Sequence, residues 1–461
     1  MPFILARARP ERQLPGGCGR HGMIERSPMA APLPRLRADL DLLPSPLPEQ
    51  PGLVIRDPFR YSTVTLVVPP LLARCLGCFD GRQDEGDLRA ALVRVAGRVT
   101  VGEAAKNLVK ALREAGFLED ERFAEMRAAR LREIAASPER PAAHDGSGYP
   151  AERSPLTETL RGYFGGAPPE GHPAEGDGAD ARTPARAIAA PHVSPSGGSA
   201  SYARAYQALA GERAAADKVF VILGTSHYGQ PDRYGLTRKP FATPFGAART
   251  ETSLVDALAA AAPGAVTLED PCHFVEHAIE FQVVFLQYLF GPSVRILPLL
   301  CGAFSDGPRT RRLPESSDQV ARFVGALGEL AAREGARLSF VLGVDFAHVG
   351  RRYGDELSAR AQAGPLAVVA ARDRARTERI GAGDPRGFWE LVTEGGDQTG
   401  YQTGYQTGYD DLKWCGTSPI YTFLRAVPEA RGRLLSYEQW NIDDASVVSF
   451  GAMAFPEKER A

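Results

Sequence analysis

The chain has 461 residues, more than one hydrophobic core usually serves, so its length points to about three structural units. Its 54 basic and 56 acidic residues leave a net charge of -2, which gives no electrostatic footprint for nucleic acid or an anionic membrane surface. No apolar run reaches the roughly 18 residues of a spanning helix, and the first 28 residues lack a signal-peptide core, so a cytoplasmic protein is expected.

In chain order, residues 1–48 are rich in Pro and Arg without period and read as a disordered segment, in which Met23 or Met29 is an alternative start. Residues 49–131 read as a small α+β module. Extended runs at Leu53-Val-Ile-Arg56 and Thr63-Val-Thr-Leu-Val-Val68 precede helical patterns at Leu71–Phe79, Asp87–Ala96 and Val101–Ala115, the last closed by Gly116. This order resembles a winged-helix domain, more narrowly the PqqD-type peptide-binding modules. Cys75-Leu-Gly-Cys78 lies in its first helix without a second ligand pair, so core packing is the expected role. Residues 132–147 read as a linker.

From residue 148 to 457 apolar strands alternate with helices. The strand candidates are Ala187–Ala190, Val219–Leu223, Val294–Leu300, Leu338–Val344, Leu434–Tyr437 and Val447–Phe455. The helix candidates are Pro155–Phe164, Ser201–Ala210, Glu276–Leu289, Ser317–Arg333, Glu356–Ala371 and Ser418–Ala426. The alternation predicts an α/β sandwich on a mostly parallel or mixed sheet. Gln-Thr-Gly-Tyr, written three times from Gln398 to Tyr409, is too short and glycine-rich for a solenoid and reads as a surface-loop extension.

Five of the eight histidines fall between His192 and His348, three of them directly after apolar runs. Ala187-Ile-Ala-Ala-Pro-His192 and Val219-Phe-Val-Ile-Leu-Gly-Thr-Ser-His227 each deliver an imidazole beyond a strand, and Leu338-Ser-Phe-Val-Leu-Gly-Val-Asp345-Phe-Ala-His348 delivers a carboxylate and an imidazole. In parallel α/β sheets ligands collect beyond the carboxyl ends of strands, so three such runs converge on one pocket. Asp345 and His348 are either two metal ligands or a carboxylate orienting an acid/base imidazole. Glu276-His277-Ala-Ile-Glu280 opens an amphipathic helix with Glu276 and Glu280 on one face, and His277, Glu280 and Ser226 are pocket candidates. Cys415, in Trp414-Cys-Gly-Thr-Ser, precedes a helix whose amide groups favour thiolate, and with two imidazoles it makes a His2Cys set suited to iron, copper or zinc.

Taken together, Gly148-Tyr-Pro, Ala190-Pro-His192, Gly224-Thr-Ser-His227, Thr243-Pro-Phe-Gly246, Glu276-His-Ala-Ile-Glu280, Leu297-Pro-Leu-Leu-Cys-Gly302, Asp345-Phe-Ala-His348 and Cys415-Gly resemble the Memo family, in bacteria labelled AmmeMemoRadiSam system protein B. The resemblance implies a fold similar to class III extradiol dioxygenases. By motif, it implies a metal ion on His192, His227 and Cys415, with Asp345 and His348 as the remaining polar pocket residues in catalysis. A thiolate then stands where the dioxygenases keep a carboxylate. Two functions follow as expectations: iron-dependent, or copper- or zinc-dependent, chemistry on a small-molecule or peptide substrate, or a non-catalytic peptide-binding adaptor working with a radical-SAM partner. After His192 the chain reads Val-Ser-Pro-Ser where the family more often carries Gly-Tyr, so one pocket wall differs.

Overall fold

The computed structural model describes residues 31–456, apart from 46, 48, 98–100, 166–184, 210–216, 306–311 and 395–409; the Gln-Thr-Gly-Tyr repeat lies outside the described residues. The chain divides near residue 135 into two compact units. In the first, β1 (Asp41–Pro44), β2 (Leu53–Arg56) and β3 (Thr65–Val68) form an antiparallel sheet in that order. α1 (Pro70–Ala73), a 3-10 turn at Leu76–Cys78, α2 (Glu85–Ala96), α3 (Gly102–Glu114) and α4 (Glu121–Ala136) follow. Asp84 starts α2 through a capping box with Asp87, and Gly97 ends it in the left-handed region at φ 64°. α3 buries Ala105, Leu108, Val109 and Leu112, the one-face spacing of an amphipathic helix. Cys75 and Cys78 are buried in the same core, in keeping with a packing role.

Two boundaries differ from the sequence expectation. The segment read as disordered up to residue 48 contributes β1 and three core side chains, Leu33, Leu40 and Leu42, each under 7 % exposed. Composition misled because Arg37, which looked like part of a basic tail, is buried and bonds Asp57 and Asp39 at 2.9–3.1 Å. Likewise, the supposed linker 132–147 is helix α4 up to Ala136, and Arg140 is fully buried against Glu280. A charged residue in a polar stretch reads as solvated unless its distant partner is known.

The second unit runs α5 (Arg153–Tyr163), β4 (Ala185–Ala190), α6 (Ser199–Leu209), β5 (Val219–Thr225), β6 (Tyr234–Leu236), β7 (Phe241–Thr243), β8 (Gly246–Thr250), α7 (Thr252–Ala261) and β9 (Val266–Leu268). It continues through α8 (His277–Phe290), β10 (Arg295–Cys301), α9 (Asp318–Glu334), β11 (Leu338–Gly343), β12 (His348–Gly350), α10 (Leu366–Gly381), α11 (Pro385–Thr393), α12 (Thr417–Ala426), β13 (Arg433–Asp443) and β14 (Ser446–Pro456). The six strand candidates of the sequence lie on β4, β5, β10, β11, β13 and β14. β6 to β9, β12, α7 and α11 were too short or too weakly patterned to read. The helix expected at 356–371 instead spans Leu366–Gly381, because Pro365 starts it rather than sitting inside it.

The main sheet has the order β12-β14-β4-β11-β5-β10-β6-β9, with β13 on β14 and β8 on β10. β4, β11, β5 and β10 run parallel, whereas β14 is antiparallel to β4 and β6 antiparallel to β10, so the sheet is mixed. Both faces of the parallel strands are covered, which explains why every residue of β5 and β11 is buried and their sequences are largely apolar. Val219, Val221 and Leu223 join the core with Phe423 and Leu424 of α12, while Phe220 stacks at 5.1 Å on Phe290 of α8 on the other face. The four parallel strands share one carboxyl edge, and the next residues after three of them are candidate ligands. No helix among the described residues is long and apolar enough to cross a membrane.

Glu280, buried in α8, bonds Arg140 and the Tyr149 hydroxyl, and accepts the N–H groups of Ala143 and His144 at 3.0–3.2 Å. Burial pushes its carboxyl up, but Arg140 and the hydrogen bonds outweigh this and hold it below the ordinary 4.5. A carboxylate lowered by folding stabilises fully above its unfolded value, and that contribution is lost as pH falls through the folded value. Glu280→Gln is therefore expected to cost about 3–5 kcal/mol near neutral pH, by leaving Arg140 buried and unpaired. It should also flatten the loss of stability below about pH 4.5 in thermal melts.

Candidate metal centre

His192 follows the last residue of β4 after Pro191 and is fully buried. Its Nδ1 donates to the Gly343 carbonyl at 2.9 Å, which leaves the Nε2 lone pair pointing away from the protein backbone. His227 lies two residues beyond β5, and Glu276 fixes it twice: Oε2 accepts its backbone N–H and Oε1 its ring Nδ1–H, both at 2.8 Å. Glu276 is the N-cap of α8, an extended residue at the carboxyl edge of β5. Burial drives the His227 pKa down, yet the charge and hydrogen bonds of Glu276, with a hydrogen bond donated to Cys415, raise it to about 9; Glu276 is held far below the usual carboxylate range.

Cys415 is brought to these rings by a buried strap. Asp410 accepts both arms of Arg376 at 2.8 and 2.9 Å and the N–H groups of Leu412 and Trp414 at 3.0 and 2.9 Å. The Trp414 indole donates to Asp373 at 2.7 Å. Gly416 donates to the Asp345 carbonyl at 3.1 Å, so close that a Cβ there would lie 2.6 Å from the Val344 Cβ. The result puts Cys415 Sγ 3.1 Å from His192 Nε2, and the ligand atoms of His192, His227 and Cys415 lie within 4.8 Å of one another. Metal–nitrogen and metal–sulfur bonds of about 2.0 and 2.3 Å at a tetrahedral angle separate N and S by roughly 3.5 Å, so a few tenths of an ångström of opening suffices. These residues fit a metal ion in donor type and distance; His227, with Nδ1–H fixed by Glu276, would yield its Nε2 proton on binding the ion. The thiol itself departs from expectation: burial, and then the Asp345 carboxylate, push it up against the pull of His227, so the start of α12 does not create a thiolate unaided. A bound cation would.

Asp345 and His348 both line this edge, but not as an orienting pair. Asp345 Oδ1 accepts the N–H groups of His192 and Val193 at 2.9 and 3.3 Å, while its buried Oδ2 makes no hydrogen bond and stands 3.4 Å from His192 Nε2. The His348 ring is instead set by backbone carbonyls, Nδ1 facing Phe346 and Lys413 at 3.0 and 3.1 Å. Burial lowers His348 to about 3 and raises Asp345. Asp345, His348 and Cys415 form a second set of donors within 4.8 Å, and His227, Glu276 and His277 a third.

His277, one of the pocket candidates, packs against both candidate ligands, with ring centroids 5.1 Å from His192 and 5.1 Å from His227. Its side chain is 19 % exposed against 0 % for His192, which places it at the outer side of the cluster. Burial pulls its pKa to about 3. Ser226 is buried at the end of β5 beside Cys272. Glu280, expected in the pocket on the same face as Glu276, has both oxygens committed to the Arg140–Tyr149 network, whereas Glu276 turns to His227 because the helix begins only after it. From the sequence Glu276 shares a helix face with Glu280 and has no assigned partner; His227 lies 49 residues away and no local pattern reveals it.

Residues 140–454 match the model of the family described as Memo-like protein. The chain belongs to that family. Its match begins at Arg140, where the second unit's buried network begins. The Memo-like chain is 26 % identical over 302 residues to a MEMO1 family protein of Aquifex aeolicus, covering 66 % of this chain and 73 % of the relative. It is 30 % identical over 283 residues to one of Thermus thermophilus, covering 61 % and 75 %. Over 262 residues it is 28 % identical to one of Thermococcus kodakarensis, covering 54 % and 79 %.

Gly416→Ala in this Memo-like protein should push the Cys415 segment off Val344, lowering stability by about 1–3 kcal/mol. It should also raise the reactivity of Cys415 toward a thiol-specific reagent several-fold. Equal labelling rates, followed by mass spectrometry of the Cys415 peptide, would count against the strap.

Proposed function

We propose that His192, His227 and Cys415 hold one metal ion, iron in the first instance with copper or zinc as alternatives, and that the protein carries out redox chemistry on a small or peptide substrate. The observation that supports this reading is that both imidazoles have their Nδ1 atoms taken, by a carbonyl and by a carboxylate, while the other side of each ring meets the same buried sulfur, Cys415. Carbonyl and carboxylate partners of this kind orient metal-ligating histidines and raise their basicity. When bound, the ion supplies the redox couple and Lewis acidity.

The chain's own groups divide the remaining work. His348 keeps its proton on Nδ1, between two carbonyls, so its Nε2 accepts a proton from a substrate. Its low pKa keeps it unprotonated at neutral pH. Asp345 orients the His192–Val193 backbone and offers Oδ2, which has no hydrogen-bond partner, to the pocket. His277 borders the cluster on its more exposed side. Cytoplasmic residence fits the five described cysteines, all free of disulfides.

A second reading, peptide binding by the first unit in support of a radical-SAM partner, draws on β3, which pairs only with β2 among the described residues. Val67 on it and Val64 and Leu71 flanking it are 40–50 % exposed, and an edge strand of this kind accepts an extended peptide.

Elemental analysis of the anaerobically purified full chain should find about one transition-metal ion per chain, lost in Cys415→Ser and in His192→Ala. His348→Ala should keep the metal while metal-dependent oxygen consumption falls by about 100-fold or more. Undiminished metal in Cys415→Ser, or undiminished turnover in His348→Ala, contradicts the assignment.

A further inference from the structure

Beside the candidate ligands stands a side chain that sequence reasoning did not single out. Tyr353 closes the one-turn 3-10 helix Arg351–Tyr353 that follows β12. Its ring meets the His348 imidazole edge-on, with centroids 5.0 Å apart and planes at 85°. Its hydroxyl oxygen is buried and makes no hydrogen bond. The ring packs with Trp440 and Ile442 against Val193, Val448 and Phe450. Val193 directly follows His192, and Val448 is the cross-strand partner of His348, so this apolar cluster adjoins the candidate metal centre.

An unpaired buried hydroxyl is destabilising, and native proteins keep few of them. On the same turn the Arg352 Nε is also buried without an acceptor, while Nη1 of the same guanidinium lies 3.8 Å from Asp443. Two unused donors beside an apolar wall suit a ligand that brings an anionic acceptor on an apolar body. We propose that Tyr353 contacts the substrate, its hydroxyl donating to a carboxylate oxygen of a small ligand whose aromatic or branched aliphatic body lies against the partly exposed Trp440 and Ile442. The inference rests on the reading above for which side chains do the chemistry, and names the substrate class for that site. Tyr353 is then a specificity-determining residue: it rewards an acceptor oxygen at one fixed place beside His348 and leaves the metal ligands untouched.

The test uses the full chain with benzoate as probe and toluene as its acceptor-free counterpart, followed by calorimetry and ligand-observed NMR, in wild type and Tyr353→Phe. Benzoate should bind wild type and lose about tenfold or more in affinity in the variant, while toluene binds both alike. The variant's melting temperature should rise by about 2 °C, because an unpaired donor has been removed from the interior. Absence of benzoate binding to wild type, equal benzoate affinities, an equal loss for toluene, or a lowered melting temperature would each overturn the proposal. Metal content measured on the same samples separates the two readings: wild type without metal ends the metal assignment, whereas the benzoate difference decides the role of Tyr353 by itself.

Discussion

The hydrogen bond from His227 Nδ1 to Glu276, matched by that from His192 Nδ1 to the Gly343 carbonyl, is the constraint on which the rest of the centre depends. An imidazole at a strand end is free to turn either nitrogen into a pocket. Here both rings are turned the same way by acceptors that belong to the sheet edge and to the cap of α8. Cys415 can meet both only because Asp410, Arg376, Asp373 and Trp414 hold its approach, and because Gly416 carries no Cβ. Long-range polar contacts within the interior thus set a geometry that three parallel strands provide in outline.

The electrostatics have the same origin. Glu276 stays ionised because His227 compensates it, Glu280 because Arg140 does, and Asp410 is held between the two arms of Arg376. Asp345 has no arginine or lysine bonded to it, and for Cys415 burial outweighs the pull of the neighbouring His227, so burial raises both. Taking a charge into the interior is costly unless something opposite meets it. A cation bound between His192, His227 and Cys415 would stabilise the ionised forms of both groups, which links the metal reading to the fold as well as to chemistry.

The sequence made the main strands and the candidate ligands readable for a specific reason. β4, β5 and β11 are covered on both faces, so their sequences are apolar apart from Arg186, Thr225 and Ser339, and the polar residue that follows each run stands out. Parallel strands then bring those ends together with no further information. What stayed hidden were the partners: Glu276 for His227, Arg140 for Glu280, Asp410 and Arg376 for the Cys415 strap. Each is an ordinary charged residue whose role depends on a contact 34 to 140 residues away. The same blindness turned Arg37 and Arg140 into tail and linker. Tyr353 went unnoticed because a tyrosine after two arginines carries no pattern, and only its unpaired hydroxyl beside His348 marks it.

X-ray absorption at the metal edge of the anaerobically purified full chain tests the central claim most directly. The account predicts one sulfur scatterer at about 2.3 Å together with two imidazole nitrogens at about 2.0 Å. A shell of oxygen and nitrogen alone, with no sulfur, would contradict it.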